Sequence, residues 1–275
     1  MSVSNYIRSF LLYDGLSKEV TFISEETLEW ESVGLTVPKV VYYLEDGTTK
    51  TFQGTENEGK APTNAGKYIA KATVDTNKTA VLEYTIAQRE ITVTITANGG
   101  TYSSTITAAS ASFNNLVGGE TVTPVITYTA TGYNSEKAPT NAGNYTITVT
   151  LPVAATNYKL VGTTTSTFVV EKATVKAPKI NSKVYTGETL TADVETSTLY
   201  TITTNNGGIL AGNYDVVLTL VDADNYKWAT TKQAVNTLTF TITQADNSWS
   251  TTPSIGDVTY GTAINPIGES VFGGV

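Results

Sequence analysis

The 275-residue chain contains no cysteine and no histidine. Those two absences exclude a disulfide, a thiol nucleophile, a thioester, a Ser-His-Asp triad and any zinc or haem site that needs imidazole or thiolate ligands. Absence of cysteine does not place the protein in the cytosol, because an extracellular β-protein with large enough cores folds without bridges. Charged residues are scarce at 15%, and the net charge is −8, a balance that argues against a nucleic-acid or anionic-membrane surface. No apolar run approaches the roughly 20 residues needed to span a bilayer. The opening Met1-Ser2-Val3-Ser4-Asn5-Tyr6-Ile7-Arg8-Ser9 lacks the basic start and long apolar core of a signal peptide. It reads as a protein that does not cross a membrane by that route or as a fragment beginning at Met1.

What is abundant points the other way. Threonine makes up roughly one residue in five, and tyrosine (16) outnumbers phenylalanine (7), a β-branched and aromatic bias that reads as all-β. Hydrophobic residues at 40% mark a chain that folds, not a disordered threonine-rich stalk.

The organising feature is a repeat. Lys60-Ala61-Pro62-Thr63-Asn64-Ala65-Gly66-Lys67-Tyr68 recurs as Lys137-Ala138-Pro139-Thr140-Asn141-Ala142-Gly143-Asn144-Tyr145 with one change, and Ala211-Gly212-Asn213-Tyr214 is a shorter third copy. The first two lie 77 positions apart, while Ala142 and Ala211 are 69 apart. Pro62 and Pro139 hold the alanine before them extended and cannot donate to a ladder, which suits a loop or a sheet edge. Gly66, Gly143 and Gly212 are expected to turn the chain through positive φ. An alternating strand follows each copy: Tyr68, Ala70, Ala72 and Val74; Tyr145, Ile147, Val149 and Leu151; Tyr214, Val216, Leu218 and Leu220. The period of two sets one apolar face toward a core.

The repeat divides the chain into a lead (1–9), three β modules (10–88, 89–172 and 173–244) and an incomplete fourth (245–275). Leu11-Leu12-Tyr13-Asp14-Gly15 reads as a strand entering a turn, and Glu45-Asp46-Gly47 as a hairpin between 37–43 and 49–52. The acidic stretch 21–31 resembles a helix start, but later copies have no equivalent. Junctions at 84–93, 168–175 and 240–246 hold no Gly-, Ser- or Pro-rich spacer, so the modules are expected to form a stiff, extended rod. The incomplete module is expected to be covered either by a continuation of the chain or by strands of a neighbouring copy, with the unpartnered lead as a candidate donor and head-to-tail self-association as the result.

Tyr102, Tyr185-Thr186-Gly187 and Tyr260-Gly261 stand early in their modules, Ala-Gly-x-Tyr in the middle, and Asn157-Tyr158 and Asn225-Tyr226 late. With Phe168, Phe240 and the closing Ile/Val positions, this order resembles the MBG and YDG-type repeats of large bacterial surface proteins and adhesins. Module one departs with Asn77-Lys78, and module three lacks the Lys-Ala-Pro-Thr lead. The resemblance implies an extracellular spacer or adhesive role without a common ligand or active site.

From the residues themselves, an Ig-like β-sandwich is expected. A tyrosine two residues before a core position of the penultimate strand forms a tyrosine corner in that fold, and Tyr68, Tyr145 and Tyr214 precede Ala70, Ile147 and Val216 by that interval. The alternative, a β-grasp-like module, needs a helix.

No catalytic, cofactor-binding or metal site is expected. Asp222-Ala223-Asp224-Asn225 opens like a calcium loop but lacks the turn glycine and closing glutamate, so a plain turn is the better reading. Glu25, Glu26, Glu29 and Glu31 read as exposed acids, not glycosidase carboxylates. Trp30 and Trp228 are candidates for stacking on sugar, with burial the commoner outcome. Asn77-Lys78-Thr79 and Asn144-Tyr145-Thr146 fit the glycosylation sequon, and a Lys-Asn cross-link has no identifiable pair. Three functions follow: a non-enzymatic structural spacer of an extracellular or cell-surface protein; an adhesin or carbohydrate-binding module that uses residues 51–59 or the hairpin around Trp228 on a surface glycan or protein; and a polymerising fibre or phage-appendage subunit.

Overall fold

The computed structural model describes residues 3–6, 11–24, 39–44, 57–58, 60–75, 78–246 and 259–261. The chain divides into two compact units, Met1–Glu171 and Lys172–Val275. The first unit contains the first two repeats and the second the third. Among the described residues there is no helix, which removes the β-grasp alternative. The hairpin expected at Glu45-Asp46-Gly47 and the acidic stretch beyond Ser24 fall outside the described residues.

In module one, strand β1 (Val3–Tyr6) pairs antiparallel with β2 (Thr21–Ser24). The lead is therefore not an unpartnered donor, because its strand is already taken up within the chain. Strands β3 (Val40–Leu44), β4 (Asn57–Glu58), β5 (Gly66–Asp75) and β6 (Lys78–Ile86) form a sheet of order β4-β3-β5-β6.

Module two is the most complete. Its strands are β7 (Arg89–Thr96), β8 (Gly99–Thr101), β9 (Ile106–Thr107), β10 (Ser110–Asn114), β11 (Val125–Ala130), β12 (Tyr133–Ser135), β13 (Gly143–Thr150), β14 (Tyr158–Leu160) and β15 (Thr165–Glu171). One sheet runs β12-β11-β13-β15-β8-β9 and the other β10-β7-β14. The opening strand thus begins in one sheet as β7 and crosses to the other as β8, where it pairs parallel with the closing strand β15. Gly99 makes the crossing with φ of 107°, and a Cβ there would lie 2.3 Å from the Val169 carbonyl oxygen. The two sheets enclose Tyr128, Tyr145, Ile147, Val149, Phe168 and Val170, with Val93, Ile95, Ala111 and Phe113 packed on them. Tyr128 meets Phe168 edge-on at 5.0 Å, a favourable aromatic arrangement.

Module three repeats the plan with β16 (Ala173–Val175), β17 (Lys183–Val184), β18 (Tyr200–Asn205), β19 (Gly212–Leu220), β20 (Tyr226–Trp228) and β21 (Val235–Thr243). The larger sheet runs β17-β21-β19-β18, while β16 pairs parallel with β20. Parallel pairing of the opening and closing strands in two layers identifies an Ig-like sandwich.

The expected tyrosine corner is present three times. The hydroxyl of Tyr68 donates to the Asn64 carbonyl at 2.9 Å, that of Tyr145 to Asn141 at 2.9 Å, and that of Tyr214 to Leu210 at 2.7 Å. Ala70, Ile147 and Val216, two residues on, are fully buried. The expected role of the preceding glycines needs correction, because Gly66, Gly143 and Gly212 do not have positive φ. At Gly66 and Gly143 the tyrosine ring folds back over the glycine: a Cβ at Gly66 would lie 3.2 Å from the Tyr68 hydroxyl, and one at Gly143 3.3 Å from the Tyr145 ring, whereas one at Gly212 would lie 4.0 Å from the Tyr214 ring, an ordinary contact. Positive φ falls instead on Gly15 and Gly187, in the Tyr-x-Gly turns.

A second tie recurs that the repeat alone does not reveal. The N–H of Val20 donates to the Tyr42 hydroxyl (3.0 Å) and that of Ala109 to the Tyr128 hydroxyl (2.9 Å). In module three the acceptor is Asn205, whose Oδ1 takes the Ala192 N–H (3.0 Å) while its Nδ2 donates to the Ala192 carbonyl (2.8 Å). Tyr42, Tyr128 and Asn205 face Ala70, Ile147 and Val216 in the ladders, so they hold one structural position. The three donors each stand seven residues after the opening tyrosine, Tyr13, Tyr102 or Tyr185.

Two buried polar atoms find no partner among the described residues, the Tyr84 hydroxyl and the Asn236 Nδ2. Burial raises the Tyr84 phenol well above its ordinary pKa. Opposite outcomes are expected for one chemical change. Tyr145→Phe removes a satisfied hydroxyl and costs about 1 kcal/mol, whereas Tyr84→Phe removes an unsatisfied one and is neutral or stabilising. Denaturant unfolding of the two variants checks both, and equal losses would remove the distinction. Gly143→Ala is expected to destabilise through the tyrosine ring it displaces, measured in the same way.

Candidate functional site: the joint between modules one and two

Only Ala87 and Gln88 separate β6 from β7, so the boundary has no linker and its stability must come from side chains. Module one presents its opening tyrosine there. The Tyr13 N–H donates to the Ala87 carbonyl (2.9 Å), and the Ala87 N–H donates to the Leu11 carbonyl (2.8 Å). The same tie appears as Tyr102 N–H to the Glu171 carbonyl and as Tyr185 N–H to the Thr243 carbonyl, each 2.9 Å.

Module two answers with its Asn-Tyr pair and one carboxylate. Tyr158, 3% exposed, packs edge-on against Tyr13 at a centroid distance of 5.5 Å and an interplanar angle of 86°. Glu120 accepts the Tyr13 hydroxyl on Oε1 and the Tyr158 hydroxyl on Oε2, the latter at 2.5 Å. The Tyr158 hydroxyl also accepts the Val117 N–H at 3.0 Å.

Asn157 closes the other side. Its Oδ1 accepts the Ala65 N–H (2.9 Å), its Nδ2 donates to the Asn64 Oδ1 (3.1 Å), and its carbonyl accepts the Arg89 N–H (3.0 Å). Gln88 Nε2 donates to the Thr156 carbonyl at 2.8 Å. Asn64 therefore serves two ties, its carbonyl holding the Tyr68 corner and its side chain meeting Asn157. Beneath these bonds Ile91 and Tyr158 belong to the same apolar cluster as Tyr42, Tyr68, Leu82 and Ile86 of module one. The module-one core thus extends onto two buried residues of module two, beside the separate cluster around Tyr128 and Phe168.

Charge follows from this geometry. Hydrogen bonds from Tyr13 and then Tyr158 hold the Glu120 carboxyl below the usual range. The Tyr13 phenol is pushed up to about 12, first by its bond to Glu120 and then by burial. Burial, followed by the same carboxylate, raises Tyr158. A carboxylate this far from neutral titration stays charged at pH 7 and works as a clamp, not as a proton donor.

The residues singled out from sequence lie elsewhere. Asp222 is engaged in a turn, its Oδ1 accepting the Asn225 N–H (3.1 Å) and its Oδ2 the Asn225 Nδ2 (2.9 Å), which lowers its pKa. Trp228 is fully buried against Tyr200 and donates Nε1–H to the Ala234 carbonyl, so it offers no face to a sugar. Asn144 of the second sequon is exposed on central strand β13. Trp30, Asn77, Glu25, Glu26, Glu29, Glu31 and most of residues 51–59 lie outside the described residues. Among the described residues no group of three acidic side chains is placed to hold a metal ion, and no helix is long and apolar enough to cross a membrane.

The residue that sequence reading missed is Glu120. Its signal was isolation, for it is the sole charged residue from 91 to 135.

No family model matches the chain, and no curated protein matches it. Among solved structures it is similar to the three N-terminal domains of the highly immunogenic outer capsid protein (Hoc) of bacteriophage RB49. The identity is 14%, with 89% of this chain and 99% of that chain covered and a TM-score of 0.30. So distant a likeness carries no argument about function. The fold assignment rests on the strand order and the three tyrosine corners.

The clamp has a pH signature. Because the folded pKa of Glu120 lies below its unfolded value, its contribution is present above about pH 4.3 and is lost as pH falls further. The stability difference between the native protein and Glu120→Gln should therefore shrink between pH 7 and about pH 3, as read by thermal unfolding. Tyr13 behaves in the opposite sense: its contribution is complete below about pH 10 and fades toward pH 12. A difference independent of pH would show that the carboxylate charge is not involved.

Proposed function

We propose that the chain is a run of structural spacer repeats of an extracellular surface protein, without catalytic activity. The observation that carries this reading is the joint itself: modules one and two share an apolar cluster and are clamped by Tyr13, Glu120, Tyr158, Asn157 and Asn64 across two connecting residues. A spacer has to transmit position from one end to the other, and a flexible linker would defeat it. The motif order resembling MBG and YDG-type repeats supports a bacterial surface as its setting. The residues most open to a ligand reading support it too, since Asp222 and Trp228 are each spent on local structure.

Absence of cysteine makes a direct test simple, because introduced thiols are the only ones present. Spin labels at Glu83→Cys and Thr146→Cys in the full chain, both exposed positions in the first unit, report the distance across the joint. A single narrow distance distribution is expected, broadened by Glu120→Gln or Tyr158→Phe. A broad distribution in the otherwise native protein would overturn the spacer reading, and reproducible binding on a glycan array would favour the adhesin.

A further inference from the structure

The third repeat is shorter than the second for a structural reason. Tyr128 precedes the corner tyrosine Tyr145 by 17 residues, whereas its counterpart Asn205 precedes Tyr214 by 9. The eight residues account for the difference between the 77- and 69-residue spacings of the motif. In module two they build β12, which returns from β11 through a two-residue turn at Thr131-Gly132 and pairs Ala130 with Tyr133 and Tyr128 with Ser135. In module one β4 occupies the same edge, pairing Tyr42 with Asn57 and Val41 with Glu58. Module three has no such strand: among the described residues β18 pairs with β19 alone, and its outer edge is open.

The composition of that edge bears on what meets it. Natural sheets guard exposed edges with charge, lysine or proline. The strand Tyr200-Thr201-Ile202-Thr203-Thr204-Asn205 has none of these, and Thr201, Ile202 and Thr203 are all exposed, Ile202 by 41%. A bulge between Ile202 and Thr204 turns the Thr203 hydroxyl onto the Val217 carbonyl (3.0 Å). Added twist at the bulge restricts any incoming strand to a short ladder, the length that β4 and β12 supply in the sister modules.

We propose that β18 is a self-association edge, taking β18 of a second copy of this chain as an antiparallel neighbour across a twofold axis. Centred on Ile202, the pairing is self-complementary. Ile202 faces Ile202 of the second copy, burying two exposed side chains together, and Thr201 faces Thr203 of the second copy in cross-strand threonine pairs. No like charges oppose one another anywhere along the strand. A ladder this short buries little area, so the dimer is weak and concentration-dependent. Pairing of this kind would tie neighbouring chains side by side, beyond the spacer role of a single chain. The measurement below reads mass between chains, so its failure is distinct from a failure of the joint within one chain.

Sedimentation velocity of the full chain, raised from micromolar to millimolar concentration, should show the mass rising toward twice the monomer. Ile202→Cys, the sole thiol in its chain, should give a disulfide-linked dimer under mild oxidation, since a twofold pair places its own Cα within bridging range. Val81→Cys, on β6 and 44% exposed, is the control and should remain monomeric. The double variant Thr201→Lys with Thr203→Lys should lose the concentration dependence. Monomer mass at every concentration would overturn the proposal, as would undiminished association of the lysine variant or equal cross-linking of both cysteine variants.

Discussion

Backbone groups at the ends of sandwich strands must find partners, and a chain without disulfides has few covalent means of holding those ends together. Here phenolic hydroxyls meet that demand. One tyrosine in each module reaches back four residues to hold the turn before the central strand, and a second side chain at a fixed register takes an N–H from the segment that follows the opening tyrosine. Tyrosine suits both tasks because its ring fills the core while its hydroxyl reaches the rim. The excess of tyrosine over phenylalanine is the compositional trace of this arrangement. Asn205 in place of tyrosine in module three keeps the bond and gives up the ring, and the largest side chain of that core is Trp228, packed against Tyr200.

Much of the fold was legible because the Ala-Gly-x-Tyr core of the motif and the alternating strand after it occur in each of modules one to three. Tyr68, Tyr145 and Tyr214 announced both the corner and the buried face. The glycines before Tyr68 and Tyr145 were misread since two different needs select glycine, a positive φ and the absence of a Cβ, and the letter alone does not say which. The second tie escaped notice because its acceptor changes from tyrosine to asparagine while only its register persists. Asn157 and Tyr158 were visible as a motif, yet Asn157 meets Asn64 and Tyr158 meets Glu120 only once the chain has folded, and Glu120 belongs to no repeated motif.

The joint and the open edge follow from the same economy. Residues around the corner are kept nearly letter for letter in modules one and two and as Ala-Gly-x-Tyr in module three, while the segment between the anchoring position and the corner tyrosine varies freely, from 26 residues after Tyr42 to 17 after Tyr128 and 9 after Asn205. Length changes there alter the width of one sheet and leave its remaining ladders in register. The variable side is the one that faces away from the closing strand, so each module can gain or lose an edge without disturbing the positions that hold its core.

Parallel pairing of the opening strand with the closing strand has a mechanical consequence. In module two Gly100 and Thr101 lie beside Val170 and Glu171, and in module three Lys183 and Val184 lie beside Ile242 and Thr243. Tension applied through a module's two ends pulls these strands in opposite directions along their own length. Their hydrogen bonds are then loaded in shear and share the force, where an antiparallel hairpin pulled from its open end would surrender them one after another. The closure that completes each sandwich is thereby also its resistance to being drawn out.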